Sequence, residues 1–154
     1  PNACTSETLN EIGITGLCTP VRQHGYCTGC GTCVQYCQEE ALSVREGRIL
    51  MDDNTCMDCG TCVRSCVYGI LESKPVSYRI TIGGRRGRHP KVGMHLVTVN
   101  SEAATLTVID QIIDWIYRFA RFDTPVVQQI GHDLNVDDLL ASIRNKIPAD
   151  RIVE

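Results

Sequence analysis

Residues 27–37 read Cys27-Thr-Gly-Cys30-Gly-Thr-Cys33-Val-Gln-Tyr-Cys37, and residues 56–66 read Cys56-Met-Asp-Cys59-Gly-Thr-Cys62-Val-Arg-Ser-Cys66. Both stretches carry the spacing C-x2-C-x2-C-x3-C, repeated with an offset of 29 residues. Two residues between successive thiolates let one tight loop reach neighbouring irons of a cubane. Gly29, Gly31 and Gly60 supply the positive φ and close backbone approach that such a loop needs. Backbone N–H groups of the loop can then point at cluster sulfurs.

This spacing is that of the bacterial two-cluster ferredoxin run, in which the fourth cysteine of each half ligates the cluster of the other half. The expected ligands of one [4Fe–4S] cluster are therefore Cys27, Cys30, Cys33 and Cys66. Those of the second are Cys37, Cys56, Cys59 and Cys62. The fourth cysteine of each half is expected at the start of a short helix leading to the partner cluster. Zinc is the competing reading of paired C-x2-C units, but structural zinc takes four ligands per ion, usually as two such pairs. Here each half has four cysteines in phase. A disulfide scaffold is disfavoured because no signal peptide is visible and the rest of the chain reads as an ordinary core. Gln38 and Val67 stand where proline often follows the last cysteine. That proline shapes a turn and is not a ligand.

The 154 residues make one or two small domains. Apolar residues are 43% of the chain, and no apolar run is long enough to span a bilayer. A formal charge of −3 argues against nucleic acid as the main partner. Eight of the ten cysteines fall at cluster spacing, which implies a reducing compartment, the cytoplasm.

Working outward, residues 27–74 form the duplicated module. Ala41–Val44 and Arg48–Met51 read as short strands around the Arg45-Glu-Gly47 turn. Tyr26, Tyr36 and Tyr68 lie beside the cysteines and are expected to pack against the clusters. Upstream, residues 1–26 are too short for a core of their own. Ile12, Ile14 and Leu17 with Gly13 and Gly16 read as a strand and turn. Cys4 and Cys18 lie outside the repeated pattern and, on their own, read as small buried residues.

Downstream, Val76–Ile82 alternates in period two and reads as a strand, and His95–Val99 as another. Between them Gly83-Gly-Arg85-Arg86-Gly-Arg88-His89-Pro-Lys91 is a glycine-rich basic loop. Its Arg85, Arg86, Arg88 and Lys91 suit an anion such as a carboxylate, phosphate or sulfoxy group. It lacks the G-x-G-x-x-G pattern of a dinucleotide site. Ser101 reads as the N-cap of a long helix ending near Phe122. Its apolar stripe is expected at Leu106, Ile109, Ile113, Ile116 and Ala120, widened by Ile112, Trp115 and Phe119. A last helix begins at the Asn135 cap with Asp137 and Asp138 in its first turn, buries Leu139, Leu140, Ile143 and Ile147, and stops at Pro148. His132 reads as a surface or cap residue.

The flanks narrow the reading further. Pro1-Asn-Ala-Cys4, Ile12-Gly-Ile-Thr-Gly16, the two-cluster run, Tyr78-Arg-Ile-Thr-Ile-Gly-Gly-Arg85, then Val97-Thr-Val-Asn-Ser-Glu102 and an apolar helix follow in that order. This order resembles the C-terminal part of the sirohaem-dependent sulfite and nitrite reductases of the anaerobic and dissimilatory type, up to about residue 122. The fold implied is α+β: a bacterial ferredoxin-like two-cluster module inserted in a partial sulfite-reductase-like α/β domain with C-terminal helices. Residues 1–26 and 75–122 would be the split reductase-like domain, 27–74 the ferredoxin module and 123–154 a helical extension.

In that family a further [4Fe–4S] cluster sits beside the sirohaem, held by two separated cysteine pairs. Pro1-Asn-Ala-Cys4 looks like the tail of the second pair, which would make Cys4 a ligand of the sirohaem-coupled cluster. Cys18 matches no family ligand. The resemblance implies that the module relays single electrons from a donor protein or subunit to that cluster, for multi-electron reduction of an oxyanion. The basic loop would then meet sirohaem carboxylates or substrate. The first cysteine pair and the cationic substrate pocket of the family lie outside this sequence, in an N-terminal sirohaem half. Catalysis by this chain alone is therefore not expected. The alternative is a stand-alone two-cluster carrier that docks a partner oxidoreductase.

Overall fold

The computed structural model describes residues 6–153. The chain divides into two units, Leu17–Val76 and the chain on either side of it, up to Gly16 and from Ser77 onward. Cys4 lies outside the described residues.

The central unit is two copies of one strand–loop–helix–strand pattern. Strand β2 (Pro20–Arg22) leads through the first cysteine loop to a one-turn helix α1 (Thr32–Gln35) and strand β3 (Leu42–Arg45). Strand β4 (Arg48–Met51) leads through the second loop to α2 (Thr61–Ser65) and β5 (Leu71–Ser73). β3 and β4 pair antiparallel as the hairpin read from the sequence, with Val44 opposite Ile49. β2, which the sequence pattern does not reveal, pairs antiparallel with β5, Val21 opposite Glu72. First and last strands thus close on each other across the duplication.

The duplication is also written in the backbone. Gly31 and Gly60 cap the two helices in the left-handed conformation, at φ 75° and 67°. Each helix begins directly before the third cysteine of its half. Cys33 and Cys62 therefore sit in the first turn, and Cys37 and Cys66 come at or just past the last. The fourth cysteine stands at the end of the short helix, not at its start as the sequence suggested. One turn of helix supplies the offset that turns it away from its three predecessors. The unit's own apolar core is small: Cys33, Leu42, Cys62 and Leu71 are its buried members.

The flanking unit is a four-stranded sheet covered by helices. Strand β1 (Ile12–Leu17) lies beside β6 (Ser77–Ile82), then β7 (Met94–Val99), then β8 (Ile152–Val153). β6 and β7 pair antiparallel with a register shift between Ile80 and Thr81, and β8 pairs antiparallel with β7. Helix α3 (Glu102–Phe119) starts at Ser101, whose hydroxyl accepts from the Ala104 N–H at 3.3 Å. Helix α5 (Val136–Lys146) starts at Asn135, whose side chain accepts from the Asp137 N–H at 3.1 Å. A short α4 (Val126–Gln129) joins them. Gln129 is buried and pins this connection: its Nε2 donates to the carbonyls of Arg121 and Thr124, and its Oε1 accepts from the Arg121 N–H.

Ile80, Val99, Val108, Ile112, Trp115, Leu139 and Ile143 share one core. The segment after residue 122, read from sequence as an extension, contributes Ile130, Leu134, Leu139, Ile143 and Ile147 to that core and a strand to the sheet. Helix α3 departs from the expected stripe. It buries Ala104, Thr105, Val108, Gln111, Ile112 and Trp115, whereas Leu106, Ile113 and Phe119 are exposed. The helix is apolar on most of its circumference, so periodicity could not fix its rotation; the facing strands and α5 do. It also ends at Phe119, with Ala120 already extended, which is earlier than expected. No described helix is long and apolar enough to cross a membrane.

Candidate metal centre

Gly31 and Gly60 set the geometry of the cysteine loops. Their left-handed backbone turns each loop into its helix two residues before the third cysteine. Cys27, Cys33 and Cys62 are buried, Cys37, Cys56, Cys59 and Cys66 half-buried, and Cys30 is exposed.

Electrostatic neighbours show which thiols are gathered. Burial pushes the Cys33 thiol up, and the charges of Cys66 and Cys27 push in the same direction. Burial pushes Cys56 up, joined by Asp58, Cys59 and Cys37. Burial raises Cys62 to about 11, with Cys56 and Cys59 adding to it. Cys66 and Cys27 thus lie close enough to Cys33, and Cys37 and Cys59 close enough to Cys56, for their charges to be felt. Cys37, Cys56, Cys59 and Cys62 together line one largely enclosed, apolar cavity, with Leu42 and Met51 in its wall.

The donor set fits iron–sulfur chemistry. Each group is all-thiol, and the buried members are costly to ionise unless a metal takes the proton's place. Among the described residues no three of His, Cys, Asp or Glu converge closely enough to hold a single metal ion. Cys37, Cys56, Cys59 and Cys62 border one space, as ligands at the corners of a cluster would.

Two hydroxyls join the sites that the cysteine spacing alone does not reveal. Thr32 Oγ1 lies 3.4 Å from Cys30 Sγ, and Thr61 Oγ1 lies 3.3 Å from Cys59 Sγ. The Thr32 hydroxyl and amide hold the Cys30 thiol below its ordinary range. At Cys59 burial works the other way, yet the Thr61 hydroxyl and amide prevail and lower it. The signal is present in the sequence: Gly-Thr-Cys occurs at the same place in both halves.

The three tyrosines do not pack inward as expected. Tyr26, Tyr36 and Tyr68 are 82%, 57% and 58% exposed. Tyr26 and Tyr36 directly precede Cys27 and Cys37, and Tyr68 follows Cys66 by two residues. Cys18 lies against the second loop: its N–H donates to the Asp58 carbonyl at 2.7 Å. His132 is exposed, as expected.

In the flanking unit the basic loop is a closed hairpin. Arg85 and Lys91 exchange backbone hydrogen bonds of 2.8 and 2.9 Å. The Arg85 guanidinium donates twice to the His89 carbonyl, at 2.9 and 2.8 Å, and Arg86 donates to the Ser6 carbonyl at 3.1 Å. Two of the four cations are thus engaged by backbone carbonyls, whereas Arg88 and Lys91 stay exposed. Arg85 and Arg86 also border a groove of about 670 Å3 whose floor includes Ile82, Trp115 and Ile130.

Residues 19–81 match the 4Fe-4S dicluster domain family. The central unit is accordingly an iron–sulfur domain of the two-cluster class. Over 116 residues, 75% of this chain, it is 35% identical to the coenzyme F420-dependent sulfite reductase of Methanocaldococcus jannaschii, of which the match covers 17%. Over 140 residues, 86% of this chain, it is 32% identical to one of the subunits of the anaerobic sulfite reductase of Salmonella typhimurium, of which the match covers 40%. The fold is also similar to that of dissimilatory sulfite reductase I, with a TM-score of 0.56 at 13% identity, over 99% of this chain and 42% of that one. The chain thus spans less than half the length of each of these three proteins.

Proposed function

We propose that this chain is the electron-relay part of a sirohaem-dependent sulfite or nitrite reductase, with its ferredoxin-like unit inserted in a reductase-like domain. The observation that carries the reading is that Cys66 lies near Cys33 of the first loop, while Cys37 lines one cavity with Cys56, Cys59 and Cys62 of the second. In this reading Cys27, Cys30, Cys33 and Cys66 hold one [4Fe–4S] cluster and Cys37, Cys56, Cys59 and Cys62 the other. The clusters supply one-electron redox chemistry when bound. The chain's own residues hold them, keep water from the buried thiolates through Leu42, Leu71 and Met51, and bring Thr32 and Thr61 to the ligand sulfurs.

Sequence similarity to two sulfite reductase proteins supports the assignment to oxyanion reduction, with electrons passed one at a time to a sirohaem-coupled cluster. That third cluster and the sirohaem would be completed by residues outside this chain, with Cys4 as one ligand. The partners would be an electron donor and the sirohaem-carrying half, and the compartment the cytoplasm. A second role follows from the basic hairpin. Arg85 stiffens it and leaves Arg88 and Lys91 exposed, which suits recognition of a carboxylate or oxyanion.

The test is the anaerobic visible spectrum of the protein isolated from its own source. Sirohaem bands above a broad thiolate-to-iron absorption are expected. A broad shoulder alone, bleached by dithionite, would leave a stand-alone carrier or a relay part separated from its sirohaem half. A protein that stays colourless after iron and sulfide reconstitution would overturn the cluster assignment.

A further inference from the structure

The two halves of the iron–sulfur unit are equal in spacing and unequal in surroundings. A Cβ built on Gly31 would meet nothing within 4 Å, whereas one on Gly60 would collide with the Cys18 side chain. Cys18 is held in place by its 2.7 Å hydrogen bond to the Asp58 carbonyl and by a parallel bridge to Cys59. Gly60 is buried and Cys59 half-buried, against a half-buried Gly31 and an exposed Cys30.

Other differences do not decide the balance. Asp58 bears on Cys56, and Arg64 Nη2 lies 3.5 Å from the Cys59 carbonyl. The equivalent positions in the first half, Gly29 and Gln35, are neutral. The added charges have opposite sign and offset each other. The first ligand runs against the trend, Cys27 being buried and Cys56 half-buried. What remains without a counterpart is the cover that Cys18 places over the Cys59–Thr61 turn.

Adding an electron to a thiolate-ligated cluster adds negative charge, which water stabilises. A cluster shielded from water is therefore harder to reduce. We propose, building on the two-cluster reading above, that Cys18 is a positioning residue whose cover makes the two clusters inequivalent. The cluster of Cys37, Cys56, Cys59 and Cys62 is the less hydrated and lower in potential, and that of Cys27, Cys30, Cys33 and Cys66 the more hydrated and higher. Each reduction adds one electron to one cluster, with dithionite as the donor in the test.

The experiment is potentiometric EPR on the full-length protein with both clusters assembled, for the wild type and for C18A and C18S. Two separate midpoint potentials are expected. Poised between them, the wild type shows one reduced cluster with clear deuterium modulation in D2O by pulsed EPR. Both variants are expected to raise the lower potential, leave the higher one in place and add deuterium modulation to the fully reduced sample. C18S, close in size to the native residue, carries the test if C18A loses iron. Full iron content with the lower potential unmoved, or with only the higher one shifted, overturns this inference alone. Fewer than about eight irons per wild-type chain overturns the two-cluster reading and this inference with it.

Discussion

Glu40 and Gly69 adopt the same left-handed backbone, at φ 54° and 63°, in equivalent places of the two half-modules. The same holds for Gly29 and Asp58, at 73° and 52°. The duplication has kept its backbone path while its side chains diverged, and two positions now carry a side chain where glycine fits with less strain. Glu40→Gly is therefore expected to stabilise the cluster-loaded protein by about 0.5–1 kcal/mol, the relief of left-handed strain less the extra chain entropy of glycine. Anaerobic thermal unfolding checks this as a raised midpoint. An unchanged or lower midpoint would show that Glu40 is not strained.

Iron removal should act on one unit and spare the other. In the main buried cluster of Leu17–Val76, Cys33 and Cys62 are themselves members of the thiol groups, and Leu42 and Leu71 are its buried aliphatic members. The flanking unit has its own core around Ile80, Val108, Ile112 and Leu139. Chelation of iron is expected to abolish hydrogen-exchange protection at Leu42 and Leu71 while amides of Ile80, Val99 and Leu139 stay protected. Protection lost in both units together would contradict this separation.

The rotation of α3 is open to a direct comparison. Ile112 is 1% exposed and Leu106 is 62% exposed. Ile112→Ala is expected to cost about 2–5 kcal/mol through lost burial and a residual cavity. Leu106→Ala should stay within about 0.5 kcal/mol. Denaturant unfolding of the two variants separates the alternatives, since the stripe expected from sequence would make Leu106 the costly position.

The cap at the start of α3 gives a smaller effect. The Ser101 hydroxyl accepts from the Ala104 N–H at 3.3 Å. Ser101→Ala should cost about 0.5–2 kcal/mol and Ser101→Gly only a few tenths, because glycine tolerates the cap backbone and leaves it open to water. Equal losses for both variants would show that the hydroxyl contributes little.

The cysteine loops are legible because metal ligation fixes residue type and spacing together. Their offset locates the hairpin of β3 and β4, and the caps Ser101 and Asn135 mark two helix starts through local hydrogen bonds. What sequence leaves open depends on contacts between distant segments. The pairing of β2 with β5 joins residues such as Val21 and Glu72, far apart in the chain. The face of α3 is ambiguous because Leu106, Ile109, Ile113 and Ile116 are as apolar as the residues it buries. Cys18 acquires a place only when folding brings it beside Gly60.

The exchange of the fourth cysteines is tested most directly by counting iron and acid-labile sulfide in two double variants, C30S/C66S and C59S/C66S, assembled anaerobically. If Cys66 shares a cluster with Cys30, the first variant loses one cluster and keeps about four irons per chain, whereas the second loses both and keeps almost none. About four irons in C59S/C66S and almost none in C30S/C66S would mean that each half holds its own cluster, and would contradict the crossed arrangement.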